Sequence, residues 1–154
     1  MEAGAVDAGF GYQCGLDALE YAPGSAATSQ LAARQIGVQV GQIAKSMLFK
    51  SCRGEYFMVV CPGNLRVDNK KLKQAVGAKA RMANAQETLQ VTGFKPGSVC
   101  PFGVSNARIL IDRPLAAYET VYPAAGTDGS GVPMSFAQLV SITGGEACDV
   151  MEPD

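Results

Sequence analysis

The chain of 154 residues contains no histidine and no tryptophan. The first absence removes whole classes of chemistry. Ser-His-Asp and Cys-His catalysis need an imidazole to carry the proton, and zinc sites with a histidine ligand go with them. Five cysteines (14, 52, 61, 100 and 148) stand singly, with no C-x-x-C pair. An all-cysteine metal site is therefore disfavoured, and neither a metal nor another cofactor is expected. An odd set of isolated thiols suits a reducing cytoplasm better than a disulfide framework. Long apolar runs are also missing, since nothing approaches the roughly 18–20 residues of a membrane span. The first residues, "MEAGAVDAGFGYQCG", lack the basic start of a secretory signal. A cytoplasmic protein is the expectation.

Basic charge is absent from both ends. All thirteen lysines and arginines lie between Arg34 and Arg113, and residues 114–154 carry six acids and no base. Residues 66–81, "RVDNKKLKQAVGAKAR", hold six bases against Asp68 alone. Such a stretch suits either a solvated helix face or a phosphate-binding one. Lys70, Lys71 and Lys73 are the candidates for contact with a nucleic acid.

What is present reads as one domain over 17–154, after a mobile lead-in at 1–16. A strand is expected at "LDALEYA" (16–22). Thr28 is placed as N-cap of a helix "SQLAARQI" ended by Gly37. A second helical turn is expected at 40–46, running into a strand "MLFKSC". The turn "RGE" then joins it to a strand at 55–61. Asp68 caps a basic helix, and Asn84 with Glu87 makes a capping box for the next. A strand follows at 108–112, then strands at "ETVYPA" and "GVPMSF" around the glycine-rich turn 125–131. Ser135 with Gln138 caps a last helix, and "EACDVM" finishes the order. Strands in hairpin-like order with a few short helices predict an α+β domain. Its sheet is expected to be curved and mixed, largely antiparallel, or a partial barrel.

Three features could carry chemistry. Lys45, in "GQIAKSMLF", is a lone lysine among apolar residues, either snorkelling at the surface or projecting into a cleft. "GFKPGSVCPFG" (93–103) places three glycines and two prolines in eleven positions. Such a loop presents backbone N–H groups rather than side chains, or is simply a turn. "AGTDGSG" is a second loop with the same ambiguity. Cys100 lies inside the first loop, but no histidine exists to activate it, so a pocket-wall role is favoured over a nucleophile. Asp112 reads as closing a strand rather than as a base.

Together, "TSQLAARQIGVQVGQIAKSMLF", "EYFMVVCPGNLRVDNKKL", "TGFKPGSVCPFG", "ILID" and "YPAAG" resemble the YbaK/EbsC (ProX-like) family of prolyl-tRNA-synthetase-associated editing domains. The resemblance covers about residues 17–151. It implies a metal-independent, trans-acting aminoacyl-tRNA deacylase that removes a mischarged small amino acid (cysteine, alanine or serine) from tRNA, foremost tRNA(Pro). The implied partners are the tRNA acceptor end and prolyl-tRNA synthetase, with no DNA or membrane. Lys45 matches the family lysine, expected to hold the terminal phosphate or ribose. Gly97, Pro101 and Gly103 match the catalytic loop, whose amides would stabilise an oxyanion. Tyr21, Thr28, Ser46, Ser98, Val99, Cys100, Phe102 and Gly126 are the expected substrate contacts. The alanine-specific branch is expected to carry a pocket histidine and an asparagine after the lysine. Here there is no histidine and Ser46 follows the lysine, and Ser98 stands where a second loop glycine is common. The rival readings are a non-catalytic tRNA- or synthetase-binding module and a hydrolase of some other small ester.

Overall fold

The computed structural model describes residues 19–20, 28–95, 98–124 and 130–152. Its central strands are β2 (Ile43–Ser51) and β3 (Tyr56–Pro62). They form an antiparallel hairpin through a turn in which Gly54 adopts φ +84°, a conformation open mainly to glycine. Met58, Val59, Val60 and Cys61 of β3 are at most 0% exposed. An uninterrupted apolar run of this kind marks a strand covered on both faces. Each such side chain contributes roughly 1.5–3 kcal/mol by leaving water.

Short helices follow where local signals put them. Thr28 accepts from the Leu31 amide to start α1 (Ser29–Ile36), and Gly37 ends it at φ +86°. The Asp68 carboxylate accepts from the amides of Lys70 and Lys71 at the start of α2 (Asn69–Val76). Reciprocal capping boxes, Asn84 with Glu87 and Ser135 with Gln138, open α3 (Ala85–Thr92) and α4 (Phe136–Thr143).

The main sheet has the order β4-β2-β3-β5-β8, with β6 also on β2. Its remaining strands are β4 (Ala80–Met82), β5 (Arg108–Asp112), β6 (Tyr122–Pro123) and β8 (Glu146–Cys148). A separate two-residue ladder joins β1 (Leu19–Glu20) to β7 (Ser130–Gly131). The sheet is mixed, as expected, and it does not close. Antiparallel pairing centres on β2, with β3 on one side and β4 on the other. The β3–β5, β5–β8 and β2–β6 pairs run parallel. Hairpin order therefore governs only the first half of the chain.

Two further expectations change. Helical geometry from 40 to 46 stops at a single 3-10 turn, Val40–Gln42, and β2 begins at Ile43. Extension there lets residues 44–50 pair with seven residues of β3, where a helix would strand those backbone groups. The strands expected at "ETVYPA" and "GVPMSF" shrink to β6, the last residue of β7 and a Val121–Met134 bridge. Pro123 and Pro133 lack the amide that a longer ladder would use. Apart from Leu19 and Glu20, the expected strand at 16–22 lies outside the described residues.

Each face of the sheet carries its own core. One face packs Ala44, Met58, Val60, Ile109 and Ile111 against Phe94, Cys100, Phe102 and Leu139. The other packs Phe49, Phe57, Val59, Cys61 and Leu110 against Leu72, Val150 and Met151.

Candidate functional site

β2 is the only strand bearing two expected site residues, and it sends them to opposite faces. Alternation along the strand puts Lys45 with Met47 and Phe49, opposite Cys61 of β3. Ser46 falls on the face of Ala44, the face on which Cys100 and Phe102 pack. Lys45 and the 98–103 loop therefore approach the sheet from different sides. On the edge of β2 away from β3, β6 pairs with residues 43–44 and β4 with residues 49–51. Among the described residues, no strand pairs with 45–47 on that edge.

Register decides which backbone groups face that edge. The Ser51 amide donates to the Glu55 carbonyl and the Gly63 amide to the Ile43 carbonyl, at 2.8 Å each. Odd-numbered residues of β2 thus bond to β3, because antiparallel pairs alternate. The N–H and C=O of Ser46 point the other way, toward that edge. Its Oγ is buried and has no hydrogen-bond partner. A buried hydroxyl left without a partner is costly. That hydroxyl lies beside an edge of β2 that no described strand covers.

The Lys45 Nζ lies half-buried and donates to the Leu65 carbonyl at 2.8 Å. An ammonium has three donors, so two remain for a ligand. On that face, Lys45, Met47, Phe49, Arg66, Val67 and Met82 line a cleft of about 450 Å³.

The first glycine loop is anchored firmly on the opposite face. Cys100 and Phe102 are 0% and 3% exposed, and Pro101 is buried beside them. The Ser98 amide donates to the Lys95 carbonyl at 2.9 Å, so that donor is occupied by a turn. Gly103 has φ +70° with open space where a Cβ would stand. Its requirement for glycine is therefore conformational rather than steric. Val99 is half-buried and packs against the first core. Thr28 uses its Oγ1 as the α1 cap. Tyr21, Gly97 and Gly126 lie outside the described residues.

The helix lysines divide. Lys70 and Lys73 are exposed, whereas Lys71 Nζ donates to the Met151 carbonyl at 3.0 Å and lies 3.8 Å from Asp149. Asp112 sits in the second face's interior at 0% exposure. Its Oδ1 accepts from the Val150 amide at 3.1 Å while Oδ2 has no partner. Burial pushes its carboxyl up to about 6, against the lowering effect of that amide. Cys61 nearby is pushed up to about 12, also by burial, so its thiol stays protonated. Among the described residues, no group of three or more His, Cys, Asp or Glu side chains is placed to hold a metal ion. No helix among them is long and apolar enough to cross a membrane.

The sequence singled out Lys45 and Ser46 as expected site residues but not Met47, Phe49, Arg66 and Met82, which line the cleft with Lys45. The i, i+2, i+4 spacing of Lys45, Met47 and Phe49 was the available signal. Met82 had none, because a three-residue strand leaves too short a pattern.

The chain resembles known proteins throughout this framework. The model of the aminoacyl-tRNA editing domain matches residues 24–142. The uncharacterized protein YwhH of Bacillus subtilis (strain 168) is 38% identical over 116 residues, 75% of this chain and 74% of that protein. EbsC of Enterococcus faecalis (strain ATCC 700802 / V583), named as a candidate Cys-tRNA(Pro)/Cys-tRNA(Cys) deacylase, is 23% identical over 125 residues, 80% of this chain and 76% of that one. A crystal structure of a candidate trans-editing enzyme for prolyl-tRNA synthetase superposes with a TM-score of 0.88 at 30% identity, covering 99% of each chain. A match of that extent, on a sheet of the same form, is more than a shared fold: this chain belongs to the aminoacyl-tRNA editing domain family.

Proposed function

We propose that this protein acts in trans as an aminoacyl-tRNA deacylase, removing a mischarged small amino acid of the cysteine, alanine or serine class from tRNA(Pro). The observation that carries the reading is the edge of β2 at residues 45–47. Among the described residues no strand covers that edge, and a buried hydroxyl without a partner stands there beside a lysine with donors to spare. Family membership supplies the substrate class, and the names borne by EbsC and by the matching crystal structure favour tRNA(Pro).

In this reading the aminoacyl ester lies against that edge. Lys45 holds the terminal phosphate or ribose, and Ser46 meets the polar atoms of the amino acid. Water attacks the ester carbonyl and becomes an oxygen of the released carboxyl group, or the amino acid's own side chain attacks it and the acyl group departs as a small ring that water then opens. The carbonyl–oxygen bond to the ribose then breaks, and the ribose oxygen leaves with a proton. Backbone N–H groups receive the transient negative charge, with Gly97, Pro101 and Gly103 shaping the loop that presents them. Loss of one such donor typically slows a reaction about 10²–10³-fold. An ester is already activated, so no imidazole, thiolate or metal is required.

Amino-acid choice belongs to the apolar wall formed by Val99, Cys100 and Phe102, with Tyr21, Thr28, Ser98 and Gly126 as further contacts. Size exclusion in such a wall discriminates about 10–200-fold per methylene. Lys70, Lys71 and Lys73 contact phosphates farther along the acceptor stem, and prolyl-tRNA synthetase is the partner from which the charged tRNA is taken. The chemistry is cytoplasmic, where charged tRNA is found.

The test is a release assay with tRNA(Pro) charged separately with cysteine, alanine, serine and proline. Rapid release of a small amino acid, slowed about 10²-fold or more by Lys45→Ala, is the expected outcome. Undiminished hydrolysis by Lys45→Ala would remove the lysine from the site. Binding of tRNA without release of any amino acid would make the protein a binding module.

A further inference from the structure

A row of polar side chains crosses one end of the sheet on the second face. By register Lys45, Cys61, Asp112 and Cys148 stand side by side on β2, β3, β5 and β8. Burial pushes the Asp112 carboxyl up to about 6 and the thiols of Cys61 and Cys148 up to about 12. Asp112 is therefore the one of the three that ionises below neutral pH. Asp149 opposes that ionisation, Lys71 favours it, and Arg113 acts on Cys148. The Lys71 ammonium is engaged by the Met151 carbonyl and Asp149. Asp112 Oδ2 is left without a partner among the described residues, while Oδ1 accepts from the Val150 amide.

That amide belongs to residues 149–152, which cross residues 65–68 as a strap. The Val150 carbonyl accepts from the Asp68 amide and the Arg66 carbonyl from the Glu152 amide, around the Val67–Met151 bridge. Arg66 and Val67 wall the Lys45 cleft. Leu65, whose carbonyl receives the Lys45 ammonium, lines a second cleft of about 370 Å³ together with Met151 and Glu152. Two neighbouring clefts thus share one wall, and the strap holds it. Val150 and Met151 are buried, so apolar packing keeps the strap down while a carboxylate beneath it works the other way.

We infer that residues 149–152 are a strap that closes over a neutral Asp112 and loosens as that carboxyl ionises, so that the shared wall of the two clefts opens as a unit while the rest of the fold stays closed. The inference goes beyond the editing reading and holds whatever the protein hydrolyses. A buried carboxylate with an unpartnered oxygen is costly, and lifting the strap returns it to water. The strap's bonds run to residues 66–71 and to Asp112, and β8 before it stays paired to β5 through Cys148. Such a segment can open below the free energy of global unfolding. The closed form holds the Asp112 proton more tightly than the open one. Opening is therefore suppressed below about pH 4 and grows as the pH rises toward 6.

Native-state hydrogen exchange on the full chain, without tRNA, is the test. The Asp68 and Glu152 amides report the strap, and the Met134 amide, bonded to the Val121 carbonyl on the opposite face, reports the fold as a whole. At pH 7 protection at Asp68 and Glu152 should lie about 10-fold or more below that at Met134. Between pH 4 and pH 7 it should fall about 10–100-fold. Asp112→Asn keeps an acceptor for the Val150 amide, and should raise strap protection at pH 7 about 10-fold and flatten its pH dependence. Lys71→Met removes the tether to the Met151 carbonyl, and should lower strap protection about 5-fold while leaving Met134 in place. Strap amides that exchange together with Met134 in the parent protein would overturn the inference. So would strap protection that Asp112→Asn leaves unchanged or, should that variant fail to fold, that Lys71→Met leaves unchanged. The release assay stands apart from this result. A protein that releases no amino acid keeps its strap, and a strap that never opens alone leaves the editing reading intact.

Discussion

Ser46 carries a cost that its fold does not explain. A buried hydroxyl without a partner destabilises by about 1–3 kcal/mol, and alanine at the same place would bring no such penalty. Ser46→Ala should therefore raise the urea midpoint, by up to about 1 kcal/mol in stability, while slowing amino-acid release. Lower stability with unchanged release would mean that the hydroxyl serves the fold alone. Gly63 makes the opposite case, since its position tolerates no side chain. A Cβ there would stand 2.6 Å from the Ser29 Cβ and 2.8 Å from the Val40 carbonyl. One of those neighbours is backbone and cannot rotate away. Gly63→Ala should cost about 1–3 kcal/mol, the usual range for overpacking, and thermal unfolding measures it.

At the scale of elements, the ends of helices and strands set how stability responds to pH. Asp112 closes β5 with a carboxyl whose folded pKa is raised to about 6 by burial. The folded state then holds this proton more tightly than the unfolded chain does. Stability from this group is complete below about pH 4, falls between about pH 4 and 6, and is flat above. Asp112→Asn should remove that slope and stabilise the protein above pH 6 by about 1–2 kcal/mol; an unchanged slope in denaturant titrations would contradict this. Glu87 acts with the other sign. Its bonds to Arg81, and then to the Asn84 amide, hold its pKa down to about 2. Its contribution is present at neutral pH and is lost as the pH falls toward 2. Asn84→Ala should cost about 1 kcal/mol as a lost N-cap and loosen α3.

These elements also show what a sequence can disclose. The caps at Asp68, Asn84 and Ser135 were legible because each involves residues three apart. The apolar run of β3 was legible because burial on both faces leaves a continuous pattern. The parallel placement of β8 beside β5 was not, since Cys148 meets Asp112 from 36 positions along the chain. Nor was the edge at 45–47, where among the described residues neither β4 nor β6 pairs with β2. Lys45 and Ser46 could be singled out by resemblance, but their separation to two faces is a fact of extended backbone. Reading 40–46 as helical concealed it.

At the scale of the molecule, charge is distributed unevenly. The bases cluster around the cleft and α2, while the final 41 residues carry only acids. Binding of uncharged tRNA should fall steeply with salt. Four phosphate contacts by Lys45, Lys70, Lys71 and Lys73 predict a log–log slope of about −3, measurable by filter binding. A flat dependence would remove this face from the tRNA interface.

The last described segment also closes the first half of the molecule. The Asp68 amide donates to the Val150 carbonyl and the Glu152 amide to the Arg66 carbonyl, each at 2.7 Å, around the Val67–Met151 bridge. Arg66 and Val67, which wall the cleft, are thus pinned by residues made some 85 positions later. On a translating ribosome the wall cannot set until residue 152 has left the exit tunnel. A nascent chain released early would have the lysine but no finished cleft around it. A member of a tRNA-editing family thus completes this wall only after the tRNAs carrying its own residues 150–152 have been spent.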